Sequence, residues 1–313
     1  MGRDPLKILV FFFVPVLVLF GIGLVFGPLG SSFLGMKPPS IFQVPRPTVE
    51  LPSEPVFHIG HFSVTNTLIA SWFTIIVLVG LSFVCTLKMK LIPGRRQGMA
   101  EVIVEGLLNF VESVASKKHA RMLFPGVATI FIYVISNAYL ALLPFFGSIG
   151  VIEHDGKFAP LFRSANTDVN VPLSIAIMSF IFVESWGMRS VGVFHYLSEF
   201  INVGQMGQGL KQLFTGKIRQ AIMNIVFGFI SLFVGVLEIF SHLTRMLSFT
   251  FRLFGNMTAG EILILVSCFL VPLVFTIPFY GLELLIGLIQ ALIFSGLTLV
   301  FGTIASTPHE ETE

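Results

Sequence analysis

Long apolar runs separated by short polar connections make up most of the chain, and the runs have membrane-spanning length. A helix needs about 20 apolar residues to cross the hydrocarbon core. The first run is "ILVFFFVPVLVLFGIGLVFG", Ile8 to Gly27, preceded by Arg3 and Lys7. It is long for the apolar part of a signal peptide and no small-residue cleavage site follows, so an uncleaved anchor is favoured over a signal. Residues 28–65 are rich in Pro and Ser and are expected outside the membrane. Residues 1–65 thus read as an N-terminal appendage and 66–313 as the membrane domain. The second run covers Asn66 to Leu87, the third about Leu123 to Phe146, and the fourth Val171 to Met188. Between the second and third, Glu101, Glu105, Asn109, Glu112 and Ser116 recur at steps of three and four among apolar residues. That spacing predicts an amphipathic helix at the membrane surface.

The last third is patterned differently. No proline occurs from Ala221 to Val271. As one helix, these about 50 residues reach ~75 Å, against a hydrocarbon core of about 30 Å. Two spans would need a turn near "SHLTR", Ser241 to Arg245, which holds neither Gly nor Pro. One long, steeply tilted helix is therefore favoured. Pro272 and Pro278 are expected to bracket a hairpin turn, and a final helix, about Phe279 to Ala305, leads to the tail "STPHEETE". The predicted fold is all-α and polytopic, with five to six membrane helices ending in a long helical hairpin.

Composition agrees. The chain is 54% hydrophobic and 12% charged, about half the charge of a soluble domain. A net charge of +2 makes no case for a nucleic-acid partner. The position of the charges is more informative. If the spans alternate, "KMKLIPGRR" (Lys88 to Arg96), Lys117, Lys118, Arg121, Arg189, Lys211, Lys217 and Arg219 all fall on one side. Lys/Arg excess marks that side as cytoplasmic. Cys85 and Cys268 sit in apolar runs and read as packing residues. The scattered histidines form no metal-binding spacing, and "GQMGQGLKQ" (Gly204 to Gln212) lacks the ending of a phosphate loop. No metal or other cofactor is expected, and "GQMGQGLKQ" reads as a loop.

The candidate chemistry is a polar stripe on the long helix. At 100° per residue, Glu238, Ser241, Arg245, Ser248, Arg252 and Asn256 follow steps of three or four on one face. Glu261 is about half a revolution from Arg252. On the final helix, Glu283 and Gln290 are seven apart and share a face. Each ionisable group at such depth costs some ~2.5–3.5 kcal/mol on insertion scales, so such groups pair, line water or face a partner. Glu238 with Arg245 is one possible internal pair. Arg252 has no acid three or four residues away, so another subunit is a possible source of its counter-charge. Three readings use such a stripe: an ion-translocating stator, a stand-alone ion-coupled secondary transporter, and a membrane anchor for a redox enzyme. A transporter is expected to show an internal repeat with broken helices, and none is visible. A haem anchor is expected to show histidine pairs inside spans, and only His242 lies within one.

Four segments in register carry a family resemblance. "RLFGNMTAGE" (Arg252 to Glu261) resembles the signature of subunit a of F-type ATP synthases. "SNAYLALLPFFG" (Ser136 to Gly147), "TDVNVPLSIAI" (Thr167 to Ile177) and "LIQALIFSGLTLVF" (Leu288 to Phe301) resemble that family's elements at the same order and spacing, over Asn66 to Ser306. "LALLPFFG" lacks the family's usual early glycine, and the N-terminal run is absent from shorter relatives. The resemblance implies a non-catalytic stator with two offset half-channels, working against the carboxylates of a c-subunit ring and held by b-type peripheral stalk subunits. It makes Arg252 the essential arginine, with Asn256 and Gln290 as polar neighbours. Glu261 and Glu283 match the outer half-channel, and Asp168 matches its outer mouth. Glu238, Ser241 and Arg245 match positions flanking the inner half-channel. His242 has no firm counterpart and is a weaker candidate for that lining. Proton is the default ion, and a bacterial plasma membrane is favoured over an organelle.

Overall fold

The computed structural model describes residues 5–35, 53–60, 62–87, 89–144, 146–152, 158–193, 196 and 218–306. The Gly-rich stretch 204–212, Arg3, Lys88, Lys211, Lys217, residues 36–52 of the Pro-rich stretch and the tail from residue 307 lie outside the described residues.

Helix dominates because the long runs are apolar; Pro15 and Pro125 lie inside helices without ending them. The helices are α1 (Pro5–Phe26), α2 (Pro28–Leu34), α3 (Asn66–Thr86), α4 (Arg95–Val114), α5 (Lys117–Ala141), α6 (Asn170–Val191), α7 (Ile218–Leu270) and α8 (Ile277–Ser306). Among the described residues, five helices are long and apolar enough to cross a membrane: α3, α5, α6, α7 and α8. The chain is an all-α, multi-pass membrane protein. The apolar stretch of α1, Phe13–Phe26, is shorter.

The amphipathic segment forms α4, which buries Leu107 and Val111, one turn apart, and exposes Glu101 and Glu105. The proline-free stretch is a single helix of 53 residues, about 80 Å long at 1.5 Å per residue. "SHLTR" makes no turn. The hairpin turn is tighter than expected: Leu273 takes φ 80°, a 3₁₀ turn spans Val274–Thr276, and α8 begins at Ile277. Pro278 therefore lies inside the first turn of α8 rather than ahead of it, where its missing N–H would be unpaired anyway. Two features were not anticipated. The connections carry two short antiparallel hairpins, β1 (Pro55–Ile59) with β2 (Phe62–Thr65) and β3 (Gly150–Ile152) with β4 (Phe158–Pro160). Helix α2, capped by Gly35 at φ 66°, opens the Pro- and Ser-rich stretch.

The chain divides into two compact units. The first takes residues 1–74, 135–168 and 253–290; the second takes 75–134, 169–252 and 291–313. In the first unit a chain of buried polar side chains ties α3, α5 and the segment before α6. Asn137 donates to Asn166 Oδ1 at 3.1 Å, and Asn66 donates to the Pro160 carbonyl at 3.3 Å. Thr67 Oγ1 donates to Asp168 at 3.0 Å. In the second unit an apolar core gathers Val111, Leu123, Val127, Val183, Trp186 and Leu299. A Cβ added at Gly126 or at Gly302 would stand 2.7 Å from the Trp186 ring, so α5 and α8 approach the indole closely because both positions are glycine.

Candidate functional site

Two polar clusters form, one in each unit. In the first unit, α7 and α8 carry Glu261 and Glu283 into a cavity of about 400 Å³, whose lining includes Phe162, Arg163, Ser164 and Tyr280. Glu283 is 5% exposed. Its carboxylate sits directly on the backbone of α7 at Gly260, where any Cβ would overlap it. The Arg163 Nε donates to both Glu261 carboxylate oxygens, at 3.2 and 3.3 Å. The family resemblance assigns Glu261 and Glu283 to one half-channel, and both line this one cavity. Arg163 belongs to none of the sequence motifs and lies 98 residues from Glu261 in an irregular connection. No periodicity could have joined the two. Asp168 is held by Thr67 and does not line this cavity.

In the second unit, His242 of α7 meets Glu184 of α6, Nδ1 to Oε1 at 3.5 Å, with both side chains largely buried. Phe180 stands edge-on to the imidazole, with ring centroids 5.6 Å apart. Arg245 lies over the Phe301 ring, 3.4 Å from its centroid, a cation–π contact. The Glu238–Arg245 ion pair weighed from the sequence does not form; Glu238 and Ser241 are exposed. Glu184 was missed, although an acid inside an otherwise apolar span is itself a signal.

Arg252 is half-buried, and its guanidinium donates to Ser248 one turn back at 3.4 Å. Among the described residues it has no carboxylate partner. Asn256, one turn further, is exposed, and Gln290 on α8 is buried. At 100° per residue the exposed apolar residues Val234 and Leu237 lie on the same side of the helix as the stripe.

The model of the ATP synthase A chain family matches residues 68–303. The chain belongs to the subunit a family of F-type ATP synthases. ATP synthase subunit a of Gloeobacter violaceus is 30% identical over 266 residues, covering 84% of this chain and 93% of that one. The subunit a of Trichlorobacter lovleyi is 27% identical over 246 residues, covering 79% and 89%. That of Campylobacter concisus is 29% identical over 239 residues, covering 75% and 88%. The match takes in all four segments that carried the resemblance. The family ties the chain to ATP synthesis and proton transport through the membrane sector. The N-terminal appendage precedes the matched residues.

Proposed function

We propose that this subunit a is the proton-conducting stator of a rotary ATP synthase in a bacterial plasma membrane, itself non-catalytic. It works against a ring of c subunits and is braced by b-type peripheral stalk subunits. The observation that carries the reading is Arg252: a permanent cation on a membrane helix with no carboxylate partner among the described residues. A guanidinium stays charged at any working pH. Left alone among apolar groups it is costly, and ring carboxylates passing this face of α7 would supply the missing charge. The exposed apolar residues beside the stripe fit a sliding surface against another helix-rich partner.

In this reading protons enter through the cavity of Glu261 and Glu283, and Asp168, outside that cavity, acts earlier on the outer route. They reach a ring carboxylate, travel round, and leave past Glu238, Ser241, His242 and Arg245. Asn256 and Gln290 supply polar surroundings for the exchange. Arg252 favours the ionised form of each arriving carboxylate, so protons are released there and cannot pass straight from one half-channel to the other. A stand-alone transporter would carry its own counter-charge for Arg252, and the described residues offer none.

The test is Arg252→Ala in the assembled complex, reconstituted in vesicles. ATP-driven proton pumping is expected to fall to background with the ring still bound, and passive proton leak is expected to rise. Normal pumping would end the reading.

A further inference from the structure

We infer that Arg163 divides the labour of the two carboxylates in the cavity: it fixes Glu261 as a carboxylate, leaving Glu283 as the group that takes up and releases the proton. The inference rests on the proton-path reading above and adds a residue that neither the motifs nor the family match singles out.

The geometry is asymmetric. Arg163 is 10% exposed and Glu261 31%, so the guanidinium reaches its charge partner from a largely buried position. Its Nε donates to both carboxylate oxygens. A proton added to Glu261 would break into that pair, because Arg163 Nε donates to both of its oxygens. Glu283 has no cation partner among the described residues, is more deeply buried, and stands against the α7 backbone at Gly260. Two acids in one cavity with such different surroundings are suited to different charge states. The paired one presents a fixed negative charge to entering protons, and the unpaired one can change its state. A purely structural alternative makes Arg163 a clamp between the connection before α6 and helix α7. A clamp needs the ion pair to hold the fold; it does not assign protonation states.

The test is chemical labelling of the intact complex with a hydrophobic carbodiimide, dicyclohexylcarbodiimide, read by peptide mass on this subunit. The reagent takes the carboxyl proton onto a nitrogen while the carboxyl oxygen attacks its central carbon. Rearrangement then leaves a stable acylurea, so only protonated carboxyls are tagged. The expected result is a tag on Glu283 and none on Glu261, although Glu261 is the more exposed of the two. R163Q is expected to raise tagging of Glu261 clearly above its level in the unaltered protein, because the carboxylate then loses the guanidinium that donates to both of its oxygens. R163K, which keeps the charge, is expected to restore most of the protection. Equal tagging of both acids in the unaltered protein, no tag on Glu283, or no change at Glu261 in R163Q would each overturn the inference. Pumping gives the second readout. E283Q is expected to abolish it, and R163Q/E261Q to pump better than R163Q, because the second change removes the stranded carboxylate. No improvement in the double variant would also overturn the inference. Arg252→Ala separates the two failures: if that variant still pumps, the path reading itself is wrong, whereas its loss of pumping alongside an active E283Q sinks only the role given to Glu283.

Discussion

Gly260 decides how close the backbone of α7 can come to the Glu283 carboxylate. A methyl group there would overlap the carboxylate, and the acid would have to leave its place. Gly281 on α8 offers the contrast, since a Cβ added there meets nothing within 4 Å. Gly260→Ala is expected to keep the helix, because alanine is the better helix former, yet to cut ATP-driven pumping by roughly 100-fold through misplacement of a reacting group. Gly281→Ala is expected to pump normally and to stabilise α8 by about 0.5–1 kcal/mol. Pumping rates of the two variants in vesicles, normalised to assembled complex, check the pair. At this scale the sequence was only partly legible. Charge positions on one helix could be placed on a wheel, whereas Glu261 and Glu283, which share a cavity, stand on different helices and were joined only by the family resemblance. Side-chain partners could not be read. Arg245 turns to the Phe301 ring instead of Glu238, and His242 meets Glu184 from another helix. Both outcomes depend on which helices pack together, which spacing along one helix does not encode.

The helices themselves were legible because burial in lipid leaves the backbone few choices. A proline-free apolar stretch can satisfy its peptide groups in a membrane only as a helix, and α7 runs unbroken through 53 residues. The connections were harder. Short hairpins such as β1–β2 have too few residues for alternation to stand out, and the turn after α7 hides its strain. Leu273 has φ 80° and ψ −107°, a region that favours glycine because a Cβ crowds the backbone there. Such residues store about 1–3 kcal/mol. Leu273→Gly is expected to return part of that strain, since the lost side chain is 45% exposed, and to raise the thermal transition of the purified complex. A lower transition would mean that the leucine side chain contributes more by packing than the backbone loses by strain.

For the whole molecule, orientation is the property that charge should settle. Lys90, Arg95 and Arg96 follow α3, Lys117 and Arg121 open α5, and Arg189 ends α6. With α3, α5 and α6 each crossing once, these cations share one side, and the connection holding β3 and β4 lies on the other. Cation-rich short loops stay on the cytoplasmic side, so the connection that lends Gly147, Ser148 and Pro160 to the cavity of Glu261 and Glu283 is expected on the side away from the cytoplasm. The expectation can be checked in a chain whose two cysteines, Cys85 and Cys268, are replaced by alanine. Gly94 and Ser148 are both exposed and accept a cysteine without a buried contact to lose. A membrane-impermeant maleimide should label Gly94→Cys in inverted vesicles and Ser148→Cys in right-side-out vesicles, each at background in the opposite orientation. The reverse pattern would place the Glu261–Glu283 cavity on the cytoplasmic side and exchange the entry and exit roles of the two polar clusters. Arg252 would keep its role, because a fixed cation between two access routes works the same way in either direction.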